Sequence, residues 1–487
     1  MSNGREFDIV VYGASGFTGR LVAEYLHQQY GADGDVKWAM AGRSEEKLKA
    51  VREEIGVPDS VPLITADADK PETLEALAKR TRVVLTTVGP YQLYGEPLVA
   101  ACAKTGTDYV DLCGEPAWMR QMIDAHGEAA KASGARIVFS CGFDSIPFDM
   151  GVYFLQQYAK ENLGAYLPRV KGRVRKMKGT FSGGTAASLQ ATLVAAKKDP
   201  KIYQLLTDPF SLTPGFKGPE QPEPREPVYD DELHTWLAPF VMATINTRNV
   251  HRSNQLLGHA YGDQFVYDEM ILTGPGEKGK ATAEAVTNDR SLSGKDAPKP
   301  GEGPSKEERE NGFYDVLFIG EGADGKTLTA NVAGKRDPGY GSTSRMIAES
   351  AICLVRDATD TRGGIWTTAP AMGDKLIKRL NVFLHHSAEE GRHVPITITA
   401  EYFELAVDRT ATISRHQIRH AQTGLLILLR DDAGAGTGDS GRVTSTHEEL
   451  FLLRAVHFQC LAPRQPRLPC CLAHPLAVVR HRSRRCR

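Results

Sequence analysis

The stretch Gly13-Ala14-Ser15-Gly16-Phe17-Thr18-Gly19 constrains this chain more than any other. The run before it, Phe7-Asp8-Ile9-Val10-Val11-Tyr12, is nearly all apolar and rich in β-branched residues, which predicts a buried parallel strand. The run after it places Leu21, Val22, Tyr25 and Leu26 at helical spacing. Strand, glycine turn and helix in this order form the context that distinguishes a dinucleotide-binding unit from a chance glycine cluster. Gly13 permits the tight turn, Gly16 lets backbone approach a pyrophosphate, and Gly19 lets helix and strand pack closely. The free N–H groups and positive end of the helix then face the phosphates. The spacing is GxxGxxG rather than GxGxxG, so the flanking elements carry this reading more than the glycines do. The bland alternative is a tight turn that holds nothing.

A second strand, Val36 to Ala41, ends in Gly42-Arg43-Ser44. An NAD site usually has an acidic residue here for the ribose hydroxyls. Arg43 and Ser44 instead suit a 2′-phosphate, since a guanidinium offers a planar fork of donors. NADPH is therefore the expected cofactor. Ser44 could equally serve only as a helix cap.

At 487 residues the chain exceeds what one core usually serves. Its formal charge of −1 gives no global sign of a nucleic-acid partner. No apolar run is long enough to span a membrane, and the first strand follows the N-terminus too closely to leave room for a signal peptide. Cys102, Cys113, Cys141 and Cys353 form no CxxC pair and fit a reducing compartment. The expected location is cytoplasmic.

The alternation of strand and helix continues to about residue 150. Val61 to Ala66 delivers Asp67 to the carboxyl edge of the sheet, where it could accept a bond from an adenine amino group. Asp69 and Glu72 have the spacing of a capping box. The fourth strand ends at Val88-Gly89-Pro90, followed by Tyr91 and Tyr94; by position this loop belongs beside the nicotinamide ribose. The sixth strand ends at Cys141-Gly142-Phe143-Asp144-Ser145. Six strands with intervening helices predict an α/β fold, a Rossmann-like doubly wound parallel sheet. Beyond Met150 the rhythm stops, and a less regular mixed α+β region follows. Gly179 to Thr185 reads as an edge turn before a small-residue helix. Leu292 to Asn311 reads as a loop, as does Gly363 to Gly373, before a last helix at Asp374 to Leu380. The expected division is a cofactor domain at 1–150, a substrate or dimerisation domain at 151–340, a return segment at 341–380, and a tail at 381–487. The tail holds nine of the fourteen histidines and four of the eight cysteines, yet their spacing matches no zinc pattern. It reads as an irregular, poorly ordered appendage, with credible strand alternation only at Ile396 to Phe403.

These motifs resemble the saccharopine dehydrogenase-like oxidoreductases, and within them the trans-acting enoyl reductase branch. The resemblance rests on the 13–19 turn, Ala41-Gly42-Arg43-Ser44, Val88-Gly89-Pro90-Tyr91 with Tyr94-Gly95, Asp108-Tyr109-Val110-Asp111, Cys113-Gly114-Glu115 and the run Gly142 to Asp149. It spans roughly residues 7–380 and is most specific in the first 150. It implies a Rossmann domain with an inserted second domain, NADPH as cofactor, and reduction of an enoyl or related unsaturated group in a lipid-like or acyl substrate. It further implies a carrier protein or synthase as partner, peripheral association with a lipid surface, and room for a homodimer. The implied cofactor residues are Gly13, Ser15, Gly16, Phe17, Thr18, Gly19, Arg43, Ser44, Asp67, Val88, Gly89 and Pro90.

The chemistry is less legible. Reduction needs a proton donor beside the nicotinamide. There is no Tyr-x-x-x-Lys pair and no metal-ligand cluster before the tail, so no metal is expected. Tyr91, Tyr94, Asp144 and Ser145 are the candidate donors at the carboxyl edge. Two other readings stay open: a non-catalytic dinucleotide-binding partner or scaffold at lipid droplets or membranes, and a saccharopine-type amino-acid dehydrogenase. The cofactor preference can be measured directly. Arg43→Ala should weaken NADPH binding roughly 10- to 150-fold, the equivalent of a charge-assisted bond of about 1.5–3 kcal/mol. NADH binding should barely change in the same calorimetric titration, and equal weakening of both would remove Arg43 from the phosphate site.

Overall fold

The computed structural model describes residues 4–382, apart from 293, 295, 296 and 300, together with 397–403. All of these lie in one compact unit, residues 1–407. The first half is built from β1 (Phe7–Tyr12), α1 (Phe17–Tyr30), β2 (Trp38–Gly42), α2 (Glu45–Glu54), β3 (Leu63–Thr65), α3 (Pro71–Arg80), β4 (Thr81–Thr86), α4 (Tyr91–Tyr94), α5 (Glu96–Thr105), β5 (Asp108–Val110), α6 (Pro116–Ser133), β6 (Arg136–Val138) and α7 (Ile146–Leu163). The second comprises β7 (Arg169–Lys178), α8 (Gly183–Lys198), α9 (Pro200–Thr207), β8 (Val228–Asp230), β9 (Thr235–Pro239), α10 (Ala243–Leu256), β10 (Val266–Gly274), α11 (Gly276–Thr287), α12 (Lys306–Glu310), β11 (Phe313–Glu321) and β12 (Thr327–Gly334). A single π-turn, Pro338–Ser342, then leads into α13 (Thr343–Arg356), β13 (Gly364–Trp366), α14 (Thr368–Val382) and β14 (Thr397–Phe403).

The first sheet is parallel throughout, in the order β13-β6-β5-β4-β1-β2-β3. The direction of winding reverses between β1 and β4, and ligands bind such sheets at the crevice this reversal opens. The apolar run of β1 is unbroken because both of its faces are covered. Ile9 and Val11 enter one apolar cluster, while Val10 and Tyr12 enter the other. The second sheet, β14-β12-β11-β7-β10-β9-β8, is antiparallel except for β7 beside β10. One core runs through both sheets, from Ile9 and Leu85 through Phe148 on α7 to Phe318 and Val332. Gly151 makes the α7 contact close, since a Cβ there would lie 2.5 Å from the Phe318 ring.

Several sequence expectations change. The stretch Gly363 to Gly373 is no loop: Gly364–Trp366 extends the parallel sheet beside β6, and α14 begins at Thr368 and breaks at Gly373 (φ 46°, ψ −134°). This strand lies outside the alternating strand–helix region that located the other three-residue strands. The Asp69 capping box does not form. Lys70 occupies the cap position, and Asp69 instead donates its N–H to the Asp67 carboxylate at 3.2 Å. Within the expected loop 292–311, Ser305 and Glu308 close a true capping box on α12. The alternation at 396–403 is realised as β14, an edge strand on β12. The rest of the expected tail lies outside the described residues.

Asp149 ties the return of the chain to α7. Its buried carboxylate accepts the Ser253 hydroxyl at 2.5 Å, and the Thr368 hydroxyl and Ala369 N–H each at 2.8 Å. It thereby joins α7, α10 and the start of α14. Asp149→Ala would strand the Thr368 and Ala369 donors in the core, each costing about 1–3 kcal/mol, and leave Ser253 only its Thr367 contact. Urea denaturation should show a loss of about 3–5 kcal/mol with the m-value unchanged; a loss below about 1 kcal/mol would deny Asp149 this role.

Candidate functional site

The crevice begins at the glycine turn. Gly13 has φ +92°, a conformation that side chains resist, and a Cβ on Gly19 would stand 2.1 Å from the Gly13 carbonyl oxygen. Gly16 is different. Its φ of −83° and ψ of 170° are open to any residue, and its Cβ position meets only the Gly13 oxygen, at 3.3 Å. It is exposed and occupies the N-cap of α1, which has no side-chain cap and no acidic residue in its first turn. Those uncapped N–H groups are what a pyrophosphate requires. Ser15 is half-buried beside Gly16, and Thr18 lines the cavity described below. Phe17 packs edge-on against Tyr340, with ring centroids 5.2 Å apart, and the Arg309 guanidinium lies 5.7 Å from its ring. The second half of the chain thus reaches over the turn.

At the other end, Arg43 is exposed directly after β2 and makes no hydrogen bond or ion pair among the described residues. Ser44 caps α2 by accepting the Lys47 N–H at 3.2 Å, which leaves its own proton for an acceptor. The two readings of Ser44 are therefore compatible. Asp67 follows β3, and its charge joins burial in pushing the Tyr12 hydroxyl up to about 12. These residues fit an adenosine 2′-phosphate, and a nicotinamide dinucleotide held by them would supply a hydride at the carboxyl edge.

Past the turn lies a cavity of about 390 Å³. Thr18, Thr87 and Gly89 line one side of it, so the 13–19 turn and the loop after β4 meet there. Val88 donates its N–H to Thr86 Oγ1 at 3.2 Å, and Pro90 is the N-cap of α4. Apolar walls come from Leu112, Leu189, Leu206, Met242 and Ile245.

The four proton-donor candidates separate. Asp144 lines the cavity, and its Oδ1 is sealed from solvent with no hydrogen-bond partner among the described residues. Burial alone pushes its carboxyl up to about 7. Tyr91 lines the cavity with its ring, but its hydroxyl accepts the Leu112 N–H at 3.0 Å and faces the Thr86 carbonyl at 3.5 Å, tying the ends of β4 and β5 together. Ser145 is buried outside the cavity wall, its Oγ accepting Asn249 Nδ2 at 2.8 Å. Tyr94 is 39% exposed on α4, also away from the cavity wall.

Sequence reasoning missed three cavity residues. Glu115 accepts the Tyr91 N–H, the Gln92 N–H and Nε2, and the Ser188 hydroxyl at 2.8–2.9 Å, so its buried carboxylate anchors the α4 loop to α8. Its place at the end of β5 was the available signal. Thr185 and Tyr340 come from distant segments that only the fold joins. Among the described residues no group of three His, Cys, Asp or Glu side chains could hold a metal, and no helix is long and apolar enough to cross a membrane.

Comparison with known proteins bears on this geometry. The family model described as the saccharopine dehydrogenase NADP binding domain matches residues 9–138. A Mycobacterium tuberculosis protein provisionally named a trans-acting enoyl reductase is 44% identical over 403 residues, covering 77% of this chain and 96% of that protein. The trans-acting enoyl reductase of Mycobacterium ulcerans is 39% identical over 405 residues, with the same coverage. Among solved structures, saccharopine dehydrogenase from Saccharomyces cerevisiae aligns with 82% of this chain and all of its own at 12% identity and a TM-score of 0.46.

The second and third glycines of the turn should respond differently to substitution. Gly16→Val should melt like the wild type yet bind no NADPH by calorimetry, because its side chain would occupy the phosphate space. Gly19→Ala should lower the melting temperature, because its Cβ meets backbone. A Gly16→Val protein that still binds NADPH would move the cofactor elsewhere.

Proposed function

We infer the reaction from kinship and cavity together: this chain belongs to the trans-acting enoyl reductase family of saccharopine dehydrogenase-like proteins, and as an oxidoreductase with a nicotinamide dinucleotide site it is proposed to reduce the carbon–carbon double bond of an enoyl group with NADPH. The substrate class is an acyl chain of lipid character, presented by a carrier protein or synthase. The observation that carries the proposal is Asp144, an unpartnered carboxyl facing a cavity that is continuous with the glycine turn.

Residues 1–150 hold the cofactor in this reading, and residues of the second half shape the substrate space. NADPH supplies the hydride when bound. The protein's own residues supply the rest. The 13–19 turn, Arg43 and Ser44 position the dinucleotide, and Asp67 faces the adenine. Leu112, Leu189 and Leu206 accept an acyl chain and exclude water. Asp144 holds a proton near neutral pH because burial disfavours its anion. The double bond gains the hydride at one carbon and the Asp144 proton at the other. The resulting carboxylate is reprotonated from solvent. Glu115 acts on the loop rather than on the substrate, by holding the Tyr91–Tyr94 turn against α8.

The test is loss of NADPH absorbance with 2-decenoyl thioesters. Asp144 must be protonated to act, and its pKa is raised to about 7. Activity should therefore be full below that value and fall about tenfold per pH unit above it. Asp144→Asn should cut kcat by about 100-fold or more and abolish this limb, with NADPH binding unchanged. A wild-type protein that oxidises no NADPH with any enoyl thioester would overturn the proposed reaction.

A further inference from the structure

Gly179 to Thr185 serves a purpose that the cofactor site does not explain. Ser182 caps the sixteen-residue α8, but its side chain bonds none of the helix's N–H groups. The Gly183 N–H is taken by the Glu302 carbonyl at 3.1 Å. The N–H groups of Gly184 and Thr185 make no hydrogen bond among the described residues, and both residues line the cavity. Two donors and the positive end of a helix therefore open onto the space that Asp144 faces.

Tyr340 meets them there. Its hydroxyl oxygen accepts the Ser182 N–H at 2.5 Å and lies 3.0 Å from Thr185 Oγ1. Either hydroxyl can donate in the second contact; with Thr185 as the donor, the phenol's own proton is left for a third partner. Burial holds the phenol above its ordinary range, so that proton stays in place. The residue is rigidly carried. Asp337 accepts the Tyr340 N–H at 3.0 Å and the Gly341 N–H at 2.5 Å. Thr343 donates to the Pro338 carbonyl at 3.0 Å and accepts the Phe143 N–H at 2.9 Å, fastening the residue before Asp144 to the turn that bears Tyr340. The Tyr340 ring stands against Phe17 of the glycine turn.

We infer that Tyr340, Thr185 and the first turn of α8 form an oxyanion clamp, which holds the carbonyl oxygen conjugated to the double bond. The inference rests on the proposed enoyl reduction and adds the requirement that the substrate be an α,β-unsaturated carbonyl compound such as a thioester. In the reaction the β-carbon gains a hydride from NADPH, which leaves as NADP⁺. The π pair of the C=C bond shifts to make the Cα=C bond of an enolate, and the carbonyl π pair moves onto oxygen. The clamp stabilises that oxygen. The pair then returns, the carbonyl re-forms, and the α-carbon takes the Asp144 proton. Donors aimed at a developing oxyanion in a water-poor site raise kcat rather than substrate affinity alone.

The experiment has two arms on the full chain: turnover of 2-decenoyl thioester with NADPH, and calorimetric binding of decanoate at pH 6 with NADP⁺ present. Decanoate presents an anionic oxygen but cannot be reduced. Tyr340→Phe should lower kcat about 100-fold, and Thr185→Ala about 10-fold. Thr185→Ser should restore both arms to near wild type, which a purely structural loss would not predict. Decanoate binding should weaken in the same order, while NADPH binding and the melting temperature hold. Equal decanoate binding in wild type, Tyr340→Phe and Thr185→Ala overturns the clamp, as does an active wild type whose kcat neither variant lowers. If the wild type reduces no enoyl thioester but the variants still lose decanoate, the double-bond reading fails and the clamp stands.

Discussion

A Cβ on Gly19 would stand 2.1 Å from the Gly13 carbonyl oxygen, so α1 can pack this close to the end of β1 only with glycine at position 19. That approach places the N-terminus of α1 at the reversal between β1 and β4, where the loop after β4 also emerges. The proposed cofactor site is arranged around that point. Gly16 is exposed there, Arg43 and Ser44 follow the neighbouring strand, and the cavity starts at Thr18 and Gly89.

The second sheet matters through what it brings back to this edge. Its apolar core is continuous with that of the first sheet through α7, whose close contact with Phe318 depends on Gly151. From that base the α8 N-terminus and the π-turn at 338–342 reach the glycine turn, and Tyr340 touches both Ser182 and Phe17. Polar bonds in the buried region then specify geometry. Glu115 fixes the α4 loop, Asp149 fixes the return of the chain, and Thr343 fixes the spacing of Asp144 and Tyr340. Each of these groups has its partners, which is how buried polar atoms are tolerated. Asp144, on the cavity wall, differs from them in that its Oδ1 has none among the described residues.

Much of the cofactor half was legible in the chain. The six strands of the alternating region lie close to their expected positions, because strands covered on both faces leave continuous apolar runs and their helices carry an amphipathic period. The seventh strand, Gly364–Trp366, was not, because it lies far from its neighbour β6 in sequence and outside the alternating region. Of the four acid–base candidates the cavity favours Asp144. The others differ in burial and bonding, which residue type does not encode: Tyr91 is spent on Leu112 and Thr86, Ser145 on Asn249, and Tyr94 faces outward.

The division between the two kinds of information follows the range of the interactions involved. The turn at 13–19, the Arg43–Ser44 pair after β2 and the doubly wound order rest on residues near one another in the chain, where backbone sterics, helix dipoles and strand burial act locally. Sequence by itself therefore determined a dinucleotide fold, its family resemblance and the carboxyl edge of the sheet as the place to look for a site. The cavity did not follow from it. Asp144, Thr185 and Tyr340 belong to three separate segments, and their meeting depends on how two sheets share one core. Only the tertiary structure could decide that, because the raised pKa of Asp144 and the hydrogen bonds of the Tyr340 hydroxyl are set by desolvation and by partners far away in the chain.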